Sequence, residues 1–287
     1  MKTFSEFGSL YARIHECRSA NSRSTLQRIL RLDLKLHPYK IQLVRELKGT
    51  NFESRLRFAN EMRHEFNNFN NILFSDEAHF YLNRFVNRQN CRYWAAENPQ
   101  LKHQKPLHST KVTVWAAIAK WGIIGPFFFE NNRGQAVTVN SECYTAMLKS
   151  FMIPKLQESR GYTRNTWFQQ GGATCHTSNE SIEVVREMFP QKIISRRGDI
   201  SWPPRSPDLT PADFFLWGYL KSRVYSNNPT TLQQLKWNIR QEMESISRET
   251  LTKVFQSFDA RLEECCNRQG CHLDDVVLKK KISFYNL

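Results

Sequence analysis

No uninterrupted apolar run in these 287 residues approaches the roughly 18 that a membrane-spanning helix needs. The longest apolar stretch, 112–129, is broken by Lys120, Gly122 and Pro126. Residues 1–10 lack the apolar core typical of a secretory signal. No glycine is followed by lysine, so the loop with which nucleotide hydrolases cradle phosphates is missing. Asp76-Glu77-Ala78-His79 spells the box of one helicase class, but without that loop the helicase reading fails. The seven cysteines (17, 91, 143, 175, 265, 266 and 271) are odd in number and scattered, which argues for reduced thiols rather than a disulfide framework. Cys265-Cys266 with Cys271-His272 lacks the paired spacing that brings four ligands to one zinc ion. No internal repeat or low-complexity tract is present.

What is there is globular. Apolar residues make up 40% and aromatics 13%, enough for one large domain with an appendage. Lys and Arg total 41 against 27 Asp and Glu, a formal charge of +14. Such an excess favours an anionic partner, with DNA or RNA the leading candidate; a generally basic protein with solvated charge is the alternative. Residues 1–50 already carry ten Lys/Arg and four Asp/Glu.

Periodicity divides the chain. Asn21-Ser22 offers a cap for a helix over 23–35, with Leu26, Ile29, Leu30 and Leu34 on one stripe. Arg23, Ser24, Gln27, Arg28 and Arg31 line its other side, as on a helix that enters the major groove; an ordinary surface helix has the same pattern. A polar helical connector is expected over 44–70. Ile72 to Ser75 is expected as a buried strand ending at Asp76, with 79–82 as a hairpin partner. Strands follow over 111–119 and 122–130, a helix over 141–156, and a strand over 166–169. A helix over 178–188, a strand over 192–195, a helix opening at Thr210-Pro211, and helices over 231–246 and 249–267 complete the order. This succession fits an α/β, RNase H-like fold: a mixed sheet flanked by helices, with a small N-terminal helical segment.

Three segments carry the chemistry: Phe74-Ser75-Asp76-Glu77, Trp167-Phe168-Gln169-Gln170-Gly171-Gly172-Ala173-Thr174-Cys175-His176, and the stretch from Trp202-Pro203-Pro204-Arg205 through Asp208 to Asp213. Together they resemble the catalytic segments of mariner-type transposases, as do the stretch around Leu36-His37-Pro38-Tyr39-Lys40 and the 261–276 tail. The resemblance runs from about residue 21 to 278. It implies metal-dependent DNA cleavage and strand transfer, a nuclear setting, and three carboxylates holding two Mg²⁺ or Mn²⁺ ions. Hard cations take oxygen ligands, and a metal pair controls charge on both attacking and leaving oxygens.

Carried over residue by residue, the resemblance makes Asp76 and Asp213 the first and third catalytic and metal-binding carboxylates. Gly171 stands where the family has its second aspartate. Glu77 is expected on the opposite face of the strand from Asp76, and Asp208 is expected to staple a loop rather than bind metal. DNA contacts are expected at Arg23, Ser24, Gln27, Arg28, Arg31 and Lys40. The segment around 87–109 matches a loop that in the family clamps a second subunit, so a homodimer is implied. Relatives carry two helix-turn-helix modules, of which residues 1–43 match at most part of the second, leaving 71–287 as the catalytic domain. The implied function is a transposase-derived DNA-binding protein with impaired catalysis and weakened or absent metal binding. The alternative is an active transposase in which another group completes the metal site.

Overall fold

A computed structural model describes residues 46–82 and 110–273, together with Arg28 and Leu32. The chain divides into two compact units, Met1–Glu46 and Leu47–Leu287. In the first, Arg28 is exposed on a helical turn; Arg23, Ser24, Gln27, Arg31 and Lys40 lie outside the described residues, as does the 87–109 loop.

The second unit is built on a six-stranded sheet of order β3-β2-β1-β4-β5-β6. Its strands are β1 (Ile72–Tyr81), β2 (Lys111–Ala119), β3 (Gly122–Phe128), β4 (Trp167–Gln169), β5 (Ile193–Ser195) and β6 (Ile200–Ser201). β1, β2 and β3 pair antiparallel, whereas β4, β5 and β6 run parallel to β1. The mixed sheet flanked by helices is the RNase H-like arrangement expected from the element order.

Strand alternation assigns each residue a layer. Ile72, Phe74, Ala78 and Phe80 of β1 join Val112, Val114, Ala116 and Ile118 of β2 in one core. Leu73 of β1 joins Trp115, Ala117 and Ala119 of β2 in the core on the other face. Successive side chains point to opposite faces, so a strand apolar at both parities must be covered on both sides.

The first face is covered by α1 (Gly49–Glu65) and later helices. The second is covered by α2 (Ser141–Met147), which runs through a π-helical turn (Leu148–Met152) into α3 (Ile153–Glu158), and by α4 (Asn179–Met188). Side-chain oxygens of Asn140 and Ser178 cap α2 and α4, accepting bonds from Cys143 N and Ser181 N. On the first face, a 3-10 turn (Pro207–Leu209) and a π-helical turn (Ala212–Leu216) lead into α5 (Trp217–Arg223). Then come α6 (Leu232–Glu244) and α7 (Arg248–Asn267), capped by Thr231 and Ser247.

Two expectations need correction. Asp76 does not end its strand, and 79–82 is not a separate hairpin partner: β1 is one strand of ten residues, paired with β2 from Phe74 to Tyr81. Asp76 and Glu77 look like a strand end only because two acids interrupt the apolar run; the ladder to β2 carries the backbone through them. The two-residue β6 was not anticipated, being too short for any periodicity to register.

One polar network ties the first layer together. Arg55 of α1 is fully buried. Its guanidinium donates to both carboxylate oxygens of Asp208 at 2.7 and 2.6 Å, to Ser206 Oγ at 2.9 Å and to Gly270 O at 2.8 Å. Asp208 Oδ2 also accepts from Leu273 N, and Arg261 donates to Asp208 O. Gly270 adopts φ +80, and a β-carbon there would strike the Phe52 backbone, so glycine is needed to turn that carbonyl onto Arg55. Asp208 therefore staples the loop, as its sequence context suggested.

Burial would raise the Asp208 carboxyl, but the hydrogen bonds and charge of Arg55 hold it below the usual carboxylate value. A depressed folded-state value stabilises the fold above the unfolded value, near pH 4, and the contribution is lost as pH falls through the folded value. Arg55→Met should lower the unfolding free energy by about 3 kcal/mol in urea titrations at neutral pH, because it strands a partly buried charge. Asp208→Asn should flatten the loss of stability below about pH 4.

Candidate active site

The parallel pairing of β1 with β4 sets the cleft. Ile72, Leu73 and Phe74 align with Trp167, Phe168 and Gln169, and β4 then stops. Ser75 Oγ donates to Gln169 O at 2.9 Å, holding the two strands together at the point where they part. Asp76 and Gly171 each follow the last paired residues, Phe74 and Gln169, by two positions.

Asp76 shares the parity of Phe74 and Ala78 and so faces the helical layer holding Asp213. Asp213 lies in the π-helical turn, its N–H donating to Thr210 O at 3.1 Å. Four residues on, Trp217 Nε1 donates to Asp76 Oδ2 at 2.7 Å. The Asp76 carboxyl is pushed up to about 8, first by burial, then by the opposing charges of Asp213 and Glu77, against the lowering bond from Trp217. The structure thus brings Asp76 and Asp213 together closely enough for their charges to oppose one another.

Glu77 points the other way, as the alternation requires. Its Oε1 meets His176 Nε2 at 3.0 Å. Burial alone would lower the His176 ring; Glu77, with a contribution from Cys175, instead pushes it up to about 10. The ring packs on Tyr144, with centroids 4.4 Å apart. Tyr144 Oη donates to Gln170 Oε1 at 2.8 Å, and Gln170 Nε2 donates to His176 O at 2.9 Å. His176 Nδ1 lies 3.3 Å from Gly171 O. The segment after β4 is therefore locked from beneath by a buried polar chain. Sequence reasoning missed the roles of Glu77, His176 and Tyr144. A histidine seven residues past a strand end carries no signal of the glutamate it will meet across the sheet.

Gly171 has no side chain to offer. A β-carbon there would meet only His176 Nδ1 at 3.6 Å and Cε1 at 3.9 Å, ordinary van der Waals distances. Among the described residues, no group of three or more His, Cys, Asp or Glu side chains is placed to hold a metal ion. Two carboxylates beside a glycine do not fit the pair of divalent ions that such a fold implies.

No protein-family model matches the chain. It is 28% identical over 264 residues to the Tc3 transposase of Caenorhabditis elegans, spanning 89% of this chain and 73% of that protein. Among solved structures it is similar to a Mos1 transposase paired-end complex with the left transposon end (TM-score 0.66, 17% identity, 92% of this chain and 79% of that one). It is also similar to the catalytic domain of Mos1 mariner transposase (TM-score 0.62, 16% identity), matching 81% of this chain and the whole of that one. Mos1 catalytic-domain structures with Mn and with Mg are among the matches as well.

Glu77→Gln should drop the His176 titration from about 10 to near or below the ordinary histidine value, since burial then dominates. An NMR pH titration of the imidazole C–H signals checks this. The chain is thus similar in sequence to Tc3 transposase and shares the RNase H-like fold of Mos1 transposase.

Proposed function

We propose that this chain is a transposase-derived DNA-binding protein whose ancestral reaction, metal-dependent DNA cleavage and strand transfer, is impaired. The observation that supports this reading is Gly171, two residues past the last β4 residue paired with β1 and without a side chain to supply a carboxylate. Asp76 and Asp213 are the surviving catalytic carboxylates in this reading. They would give one Mg²⁺ or Mn²⁺ only a partial ligand set, and removing one electrostatic stabiliser from an active site costs on the order of 100-fold or more in rate.

The charge of +14 supports DNA as the partner, as does the likeness to Mos1, whose structures include complexes with transposon ends. Arg28 is exposed, as a phosphate or groove contact requires. Arg23, Ser24, Gln27, Arg31 and Lys40 belong to the same proposed surface, and a homodimer through the 87–109 loop and a nuclear setting remain part of the proposal.

The test is a nicking assay on supercoiled DNA with Mg²⁺ or Mn²⁺. The unmodified protein should leave the DNA intact. Gly171→Asp should bind Mn²⁺ in calorimetry and nick DNA, and the open space above His176 should hold its stability within about 1 kcal/mol of the parent. Strong cleavage by the unmodified protein, abolished by Asp76→Ala, would overturn the impaired reading and show that another group completes the site.

A further inference from the structure

β4 and β5 run parallel, so the loops that leave them emerge at the same end of the sheet. The first loop is Gly171-Gly172-Ala173-Thr174, exposed from Gly172 onward. Its carbonyls turn inward. Gly171 O meets His176 Nδ1 at 3.3 Å, Ala173 O accepts from His176 N and Thr177 N at 3.1 Å, and Thr174 O accepts from Thr177 N at 3.3 Å. The four N–H groups of Gly171 to Thr174 have no hydrogen-bond partner among the described residues. The second loop follows Ser195 and is closed by bonds from Gly198 N to Ser195 O and from Asp199 N to Ile193 O. It presents Arg196 and Arg197, both exposed. Arg197 reaches back, its Nη1 donating to Thr177 O at 3.0 Å, and so ties the two loops together. Arg196 lies against the first loop, its Cδ 3.8 Å and its Cβ 3.9 Å from where a β-carbon on Gly172 would stand. Among the described residues the Arg196 guanidinium has neither an ion pair nor a hydrogen bond.

We propose that the backbone of Gly171 to Thr174 and the side chain of Arg196 form a seat for one phosphodiester group of DNA. The seat rests on the DNA-binding reading above and gives it a place in the second unit. With the carbonyls engaged inside the turn, what the loop has left to offer is donors, and successive backbone N–H groups are a recurrent anion cradle. Two glycines in a row let a phosphate oxygen come within hydrogen-bond distance of backbone that no side chain shields. A β-carbon at Gly171 would meet only the His176 ring, and one at Gly172 only Arg196, so the loop is open elsewhere. Arg196 supplies what amides lack, a full positive charge on a planar fork that matches phosphate geometry. Its aliphatic stem, packed on Gly172, holds the guanidinium beside those amides. The acids close by are engaged: Glu77 pairs with His176, and Asp199 Oδ2 accepts from Ile193 N. A carboxylate at position 171 would repel a phosphate that no cation bridged to it, and glycine removes that repulsion. The residue that withholds a metal ligand thus suits the loop to hold the DNA backbone directly.

The experiment has two arms, both on the full chain in EDTA. In the first, a random-sequence duplex is bound at rising salt. Arg196→Gln should lower the magnitude of the log–log salt slope by about 0.9, for one phosphate no longer neutralised. Arg196→Lys should keep the parent slope, which separates loss of charge from loss of fold. Arg186→Gln, the same charge change on the exposed last turn of α4, should leave the slope unchanged. In the second arm, the dinucleotide d(TpT), which carries a single phosphodiester, is titrated into labelled protein. The amide signals of Gly171 to Thr174 should shift in the parent and stay in place in Arg196→Gln. If the parent binds the duplex salt-dependently, an unchanged Arg196→Gln slope, an equal fall in Arg186→Gln, or unmoved 171–174 amides each overturns the seat and leaves the DNA reading standing. If the parent shows no salt-dependent binding at all, the DNA reading itself fails, and the seat with it.

Discussion

The geometry of the cleft depends on a bond made far from it, the buried pair of Arg55 and Asp208. Asp208 sits in the loop leading to Asp213, and Arg55 sits on the first helix of the unit. Because the guanidinium also holds Ser206 and the carbonyls of Gly270 and Cys271, it joins the start, the late loop and the end of the unit at one point. A bidentate pair at 0% and 16% side-chain exposure has little freedom to reorient. Asp213 thus reaches the sheet from a loop pinned at one end by this network and at the other by Trp217 on Asp76. The helix expected as a connector is a wall of the unit, with Phe58, Ala59 and Met62 in the core that also takes up α7.

Strand parity does the rest. Asp76 and Glu77 are neighbours in sequence, yet the sheet sends one to Asp213 and Trp217 and the other to His176 and Tyr144. The two faces therefore hold different chemistry. One keeps the paired carboxylates of the cleft; the other keeps a chain from Glu77 through His176 and Gln170 to Tyr144 that braces the backbone around Gly171. That bracing explains how the segment after β4 stays ordered without a side chain at position 171.

On the proposed function, the chain would keep the means to approach DNA and lose much of the means to cut it. The two properties rest on different parts of the molecule. Attraction depends on summed charge, whereas cleavage depends on three oxygen donors converging within a few ångströms. In that proposal, glycine at position 171 withholds one donor while hardly altering the long-range field. The fold tolerates it because the site lies at a strand end, where no apolar side chain is missed.

The sequence by itself determined the sheet and its helical cover. Val112 to Ala119 is apolar at both parities, helices are legible over 141–156, 178–188 and 231–246, and the segments around Asp76, Gly171 and Asp213 mark the candidate cleft. These are local patterns, and local patterns survive in a linear string. Only the tertiary structure decided that β1 runs unbroken through Asp76, that a two-residue β6 closes the sheet, that Arg55 seeks Asp208, and that Glu77 meets His176. Arg55 and Asp208 stand 153 positions apart, Glu77 and His176 99 apart. The partner of a buried charge is whichever opposite charge the folded layers bring within reach, and no periodicity in the chain announces it.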